Sequence, residues 1–143
     1  MVLRRVTNED WKILLDWRND IDTRRNSHTM DIIGEESHKK WLSSILNNEN
    51  RQLYIAMDNE SPVGTVRADF DDQVNAFELS WSISPVARGR GIGKEMVKLL
   101  VDQLNARIKA EIKSGNISSV KIAEYVGLSL REEQNGVLYY SNY

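Results

Sequence analysis

The sequence predicts an α+β domain in which helices cover both faces of a mixed central sheet, built as one unit over residues 1–143. Three observations point there. Apolar residues alternate in short runs and recur every third or fourth position in longer ones, and the two periods interleave in the order β-α-α-β-β-β-α-β-α-β-β. The 143 residues are 41% hydrophobic and 28% charged, enough for one core without staples and too apolar for a disordered chain. No repeat, low-complexity tract or linker rich in Pro, Gly or Ser divides them.

Residues 2–6 read as a first short strand. Thr7 or Asn8 then caps a helix that carries Trp11, Leu14 and Leu15 on one face. A polar, loop-like stretch follows over residues 19–34. From Glu35 a second helix presents Trp41, Leu42, Ile45 and Leu46 as its apolar stripe. Three strands come in quick order at 51–57, 63–70 and 76–84, separated by turn-forming residues at 58–62 and 71–75. A helix over 91–104 spaces Ile92, Met96, Leu99, Leu100 and Leu104 along its apolar side. A strand at 107–112 and a helix at 117–126 lead to two short strands around Asn135-Gly136, a strong hairpin signal.

Charge and composition narrow the function. Lys plus Arg is 19 and Asp plus Glu is 21, a formal net charge of −2, so there is no basic footprint of the kind nucleic-acid binders show. Neither a nucleic acid nor an anionic membrane surface is expected as a partner. The chain has no cysteine, which removes disulfides, thiolate zinc sites and cysteine nucleophiles together. Its two histidines, His28 and His38, cannot by themselves build a metal site; no metal is expected, and both read as surface or capping residues. The first ten residues place charges where a signal peptide needs its apolar stretch, so the expected location is cytoplasmic.

The most informative segment is Ser84-Pro85-Val86-Ala87-Arg88-Gly89-Arg90-Gly91-Ile92-Gly93-Lys94, joining a strand to an amphipathic helix. Glycines at alternate positions let backbone N–H groups turn toward a ligand, and the helix then opens with its positive dipole end beside them. Arg88, Arg90 and Lys94 add cationic charge suited to a pyrophosphate. A P-loop fails here, because Gly93-Lys94 is followed by Glu95 rather than by a hydroxyl. A Rossmann fingerprint also fails, because the spacing is Gly-x-Gly-x-Gly after a fourth strand.

Arg88, Gly91 and Gly93 meet the pattern Arg-x-x-Gly-x-Gly, which resembles motif A of the GNAT N-acetyltransferases, the loop that holds the pyrophosphate of acetyl-coenzyme A. Asn116-Ile117-Ser118-Ser119 followed by Tyr125-Val126-Gly127-Leu128 resembles the family's Asn-x-x-Ser…Gly-Phe segment, with Leu128 in place of Phe. The element order is that of the GNAT fold, so the resemblance spans essentially the whole chain. Trp17-Arg18-Asn19 and Glu35-Glu36-Ser37-His38-x-x-Trp41 are similar to the branch holding RimJ/RimL-type ribosomal-protein acetyltransferases and sugar-nucleotide N-acetyltransferases.

The resemblance implies acetyl-CoA as co-substrate and a primary amine as acceptor, an amino-sugar nucleotide or a protein N-terminus being favoured. The partner is therefore a small-molecule or peptide amine, and the chain is expected as a monomer or homodimer. An alternative from another class is a catalytically silent, CoA-binding GNAT-fold sensor or interaction module. Cofactor contacts are expected from Arg88, Gly89, Arg90, Gly91, Ile92, Gly93 and Lys94, from Asn116, which binds the pantetheine arm, caps the last helix or does both, and from the backbone at Ile83, whose N–H would serve as oxyanion donor.

At neutral pH an alkylamine is mostly protonated, so the transfer needs a base. Glu78 is the first candidate. It shares one strand face with Ser80, Ser82 and Ser84, while Phe77, Leu79, Trp81 and Ile83 share the other. A carboxylate in a central strand is costly unless a cleft or a salt bridge to a neighbouring strand serves it, and both readings stand. Glu111 is the second candidate, with a solvated charge between Lys109 and Lys113 as its other reading. Many family members place a tyrosine seven residues after the Asn to protonate the departing sulfur; Ala123 stands there instead. Tyr125 lies about 200° further round the helix and reads as core. Ser119 is the substitute candidate, either as proton donor or as a hydroxyl capping the helix start. At the acceptor end, Arg24 and Arg25 suit a nucleotide diphosphate, whereas Asp20 and Asp22 suit a cation; the segment decides nothing.

Overall fold

A computed structural model describes all 143 residues. One seven-stranded sheet carries the chain in the order β1-β2-β3-β4-β5-β7-β6. Its strands are β1 (Val2–Arg5), β2 (Arg51–Asp58), β3 (Ser61–Asp71), β4 (Ala76–Ile83), β5 (Ile108–Lys113), β6 (Ser129–Gln134) and β7 (Val137–Ser141). The helices are α1 (Trp11–Asn19), α2 (Ile21–Arg25), α3 (Glu35–Leu46), α4 (Ile92–Leu104) and α5 (Ile117–Tyr125). Single 3-10 turns stand at Asn8–Asp10 and Pro85–Ala87. Every pairing is antiparallel except β4–β5, the two strands that α4 connects.

Helices cover both faces, as the sequence predicts. On one face α1 and α3 enclose a cluster of Val6, Leu14, Trp17, Leu42, Ile45, Leu53 and Ile55. On the other, Met96, Val97 and Leu100 of α4 and Ile122 and Ala123 of α5 pack on Val66, Ala68, Leu79, Ile108 and Ala110. Each large apolar side chain so enclosed stabilises the fold by about 1.5–3 kcal/mol. No helix is long and apolar enough to cross a membrane.

Four expectations need correction. Residues 19–34 are not all loop: Asp20 caps the short α2, its carboxylate accepting from the Thr23 backbone N–H at 3.2 Å. In α1 the buried positions are Leu14 and Trp17 rather than Leu15, because the helix turns its Leu14–Trp17 edge onto α3. In α4, Val97 is buried and Leu99 is exposed, since the helix rolls toward its Gly93–Val97 side to meet α5. His38 is fully buried rather than superficial. Its Nε2 donates to the Trp11 carbonyl at 2.8 Å, and its ring stacks on Trp41 with centroids 5.4 Å apart.

The feature that positions a site is the parting of β4 from β5. Their register contains only Phe77 with Ile108 and Glu78 with Lys109. Beyond that point the strands separate toward their C-terminal ends, where parallel strands joined by a helix place ligands.

Candidate active site

Two clefts lie along this gap. The first, about 610 Å³, runs between the end of β4, the loop preceding α4 and the start of α5. The second, about 430 Å³, lies on the α1–α3 face over β3, β4 and β5. Both are lined by Trp81, Ser82, Asn116 and Ser119, so the clefts meet there.

The first cleft is built around the glycine loop. Gly91 stands at φ 73°, ψ 10° and starts α4 without a side-chain cap, leaving the first N–H groups of the helix free. That is a ready site for an anion. A Cβ on Gly93 would stand 2.5 Å from Ile122 Cδ1, so this glycine lets α4 close on α5. Arg88, Gly89, Gly91, Ile92, Gly93 and Lys94 line the cleft, as does Lys121. Arg90 is exposed and does not line it. Arg88 is already engaged: its guanidinium donates to Asp20 at 2.6 Å, to Asp22 at 3.4 Å and to the Thr23 hydroxyl at 3.0 Å. Burial pushes the Asp20 carboxyl up, but the Arg88 and Thr23 hydrogen bonds outweigh it and hold it below the usual range.

Strand β4 supplies the wall between the clefts. The Ser84 N–H donates to the Val63 carbonyl and the Phe77 N–H to the Arg107 carbonyl, each at 2.9 Å. Even-numbered residues therefore turn their backbone to β3, and odd-numbered ones turn it to β5. Past the last β4–β5 pair, Trp81 and Ile83 present N–H and C=O groups to the open gap. An extended amide chain fits such an edge.

Side chains of the even-numbered residues face the second cleft. Glu78, Ser80 and Ser82 line it, with Glu111 reaching in from β5. No cation pairs with Glu78, because Lys109 is taken by Asp71 at 2.7 Å; the salt-bridge reading does not hold. Burial, then a hydrogen bond and repulsion from Glu111, push the Glu78 carboxyl above its ordinary value. At the junction, Trp81 Nε1 donates to Ser119 Oγ at 3.2 Å. Asn116 Oδ1, not the Ser119 hydroxyl, caps α5 by accepting from the Ser119 backbone N–H at 3.3 Å. Ser119 Oγ thus keeps a proton to donate.

Tyr125 is 55% exposed beside Lys94, so it is a surface residue rather than core, while Ala123 at the family's tyrosine position is fully buried. Arg24 and Arg25 line neither cleft: Arg24 donates to the Asn19 carbonyl at 3.1 Å and Arg25 pairs with Asp22 at 3.8 Å. His28 is exposed at the rim of the second cleft. The sequence reading missed Arg18, Trp41 and Arg67 as lining residues of that cleft. The alternation Thr65, Arg67, Asp69 against Val66, Ala68 carried a signal for Arg67.

The sequence matches the GNAT acetyltransferase domain family over residues 1–129. The chain belongs to that family, and its activity class is that of an acetyl-CoA-dependent N-acetyltransferase. Among solved structures it is similar to an aminoglycoside acetyltransferase, AAC(6')-Ib, in complex with coenzyme A. The match has 19% identity and a TM-score of 0.83 over 98% of this chain and 92% of that one. It is also similar to a ribosomal-protein-alanine N-acetyltransferase from Brucella melitensis, with 21% identity and a TM-score of 0.80 over 99% and 98% of the two chains. A third is spermidine N-acetyltransferase from Vibrio cholerae in complex with CoA and spermine, with 12% identity and a TM-score of 0.84 over 98% and 92%. No curated protein sequence matches.

Proposed function

We propose that this N-acetyltransferase passes the acetyl group of acetyl-CoA directly to a primary amine seated in the cleft over β3, β4 and β5. The observation that carries this reading is the junction of the two clefts at Trp81, Ser82, Asn116 and Ser119. A thioester and an amine entering from the two sides meet at that point. Acetyl-CoA supplies the activated acetyl group. Arg88 and the free N–H groups opening α4 hold its pyrophosphate; Asn116 and the backbone of Trp81 and Ile83 hold its amide arm.

Glu78 takes the proton of the attacking amine. Its raised pKa suits that role, because a base works best with a pKa near the working pH. Glu111 stands beside it, adding the repulsion that raises it. Ser119 donates the proton to the departing sulfur and takes the place of the tyrosine that Ala123 replaces. A backbone N–H at Ile83 serves the thioester oxygen.

The acceptor reading keeps an amino-sugar nucleotide and a protein N-terminus in front. Proteins of the same fold bear the names of an aminoglycoside, a polyamine and a ribosomal-protein acetyltransferase, so the fold admits amines of different size. Calorimetry with acetyl-CoA is the first test, comparing the native chain with Gly91→Glu and Gly91→Ala. The left-handed φ strains both variants, but only glutamate brings negative charge to the helix start. Micromolar binding by the native chain, weakened in Gly91→Ala and abolished in Gly91→Glu, supports the loop assignment. Absence of binding by the native chain overturns the reading.

A further inference from the structure

The acceptor cleft is charged at both ends, with opposite signs. Glu78 and Glu111 form the acidic end. Arg18 of α1 and Arg67 of β3 form the other, both beside Trp41 of α3. The Arg18 guanidinium lies 4.2 Å from the Trp41 ring centroid and that of Arg67 lies 5.9 Å from it.

This basic end is under-neutralised. No carboxylate pairs with Arg18. Arg67 shares Asp69 with Arg51, at 2.9 and 3.0 Å. Two guanidiniums thus divide one carboxylate, and Asp31, which also lines the cleft, pairs with neither Arg18 nor Arg67. Arg18 is half-buried; burial and repulsion from Arg67 both disfavour its charge, and a partly desolvated cation without a counter-ion is costly. Its orientation is nonetheless fixed. His38 Nε2 donates to a carbonyl, which can only accept, so His38 Nδ1 holds a lone pair that accepts from Arg18 Nη1 at 3.1 Å. A buried neutral histidine and a tryptophan face therefore aim an unpaired guanidinium at the cleft.

We infer that the acceptor is an amine that also bears an oxyanion, a carboxylate or a phosphate, held by Arg18 and Arg67 over Trp41 while the amine faces Glu78. The inference rests on the acetyl-transfer reading of the same cleft. Sheet register sets the scale. Arg67 pairs with Ser80, and Ser80 is two residues from Glu78 on the same face, a rise of about 7 Å. Amine and oxyanion therefore stand roughly 6–9 Å apart, allowing for the reach of the side chains. This grip differs from the one predicted at Arg24 and Arg25, which do not reach the cleft.

Three probes test it, the first two placing amine and oxyanion six bonds apart: 6-aminohexanoate, 4-aminobutyl phosphate and, as the uncharged-end control, hexylamine, titrated calorimetrically into the protein saturated with CoA. At least one oxyanion amine is expected to bind about 10- to 100-fold more tightly than hexylamine, the range of a charge-assisted contact. The tighter of the two identifies the oxyanion as carboxylate or phosphate. The preference is expected to collapse in Arg18→Gln and in Arg67→Gln; the second variant carries the test if the first fails to fold. Equal binding of hexylamine, no binding by either oxyanion amine, or a preference that survives the variants overturns the inference. Titration of the same protein with acetyl-CoA separates the two failures. Heat with acetyl-CoA but no oxyanion preference removes this inference alone, whereas no heat removes the acetyl-transfer reading beneath it.

Discussion

Replacing Glu78 by glutamine should make the enzyme slower and the fold more stable at the same time. The side chain keeps its shape and its place on β4, but it can no longer accept a proton from an amine. Loss of a positioned general base costs about 10²- to 10⁴-fold in rate, or roughly 3–5 kcal/mol of barrier. Stability moves the other way. The Glu78 carboxyl is pushed up by burial and by Glu111, and Lys109, itself paired with Asp71, offsets them only in part. A folded pKa above the unfolded one means that the group's stability contribution is complete below about 4.5 and is lost as pH rises through the folded value. Ionised Glu78 is thus a cost at neutral pH, and glutamine removes it. For a chain of 143 residues, each kcal/mol so relieved raises Tm by roughly 3–5 °C. Activity is read by trapping released CoA with a thiol reagent, to which a chain without cysteine contributes no background. The native pH profile should show an acid limb above the ordinary glutamate range, and that limb should vanish in Glu78→Gln. A variant that retains kcat within about threefold of native, or that melts lower at pH 8, refutes the reasoning.

Three other perturbations test neighbouring parts of the structure. Gly64→Ala puts a Cβ 2.8 Å from the Ser82 backbone carbonyl and 2.9 Å from Met96 Sδ; strand backbone cannot yield cheaply, so a loss of about 1–3 kcal/mol in urea unfolding and a raised KM for acetyl-CoA are expected. Asp20→Asn keeps an oxygen for the α2 cap but takes the charge from Arg88, and calorimetry should show acetyl-CoA binding up to about fivefold tighter, the value of a partly exposed ion pair. Burial and repulsion from Arg18 hold His38 below 6.5, so its contribution is full above about 6.5 and is lost as pH falls toward the folded value. Urea midpoints should therefore differ in slope between pH 7 and 5 for native and His38→Gln proteins, by up to about 1.4 kcal/mol per pH unit. The difference isolates His38 from Glu78, which acts in the opposite sense. Asp10, Asp20 and Asp71, all held low, act only below about 3.8.

What was legible in the sequence is what local chemistry dictates. The glycine loop could be read because a left-handed Gly91 and a Gly93 pressed on Ile122 admit no other residue easily. Strand β3 could be read because its burial alternates, and β2 because a short apolar run buried on both faces lies between turn residues. Features that depend on distant partners were not legible. His38 owes its burial to a carbonyl 27 residues away, α2 is tied to an arginine 68 residues on, and Tyr125 is exposed because α5 turns Ile122 and Ala123 inward. The meeting of Arg18 with Arg67 needs both the α1–α3 packing and the pairing of Arg67 with Ser80.

On the proposed reading, the register of β4 also lets one strand serve two ligands. Along β4 the backbone of odd-numbered residues opens to the gap beside β5, and the side chains of even-numbered residues open to the acceptor cleft. The two functions share eight residues without competing, because in a strand the edges and the faces point in perpendicular directions. The arrangement survives only in one register. A slip of one residue would turn Glu78 into the core and Leu79 into the cleft, and would swap which backbone groups meet the gap. Gly64 helps to prevent it. Paired with Ile83, it is the only residue type that lets the Ser82 carbonyl and Met96 lie so close, and thereby holds the end of β4 where both clefts meet.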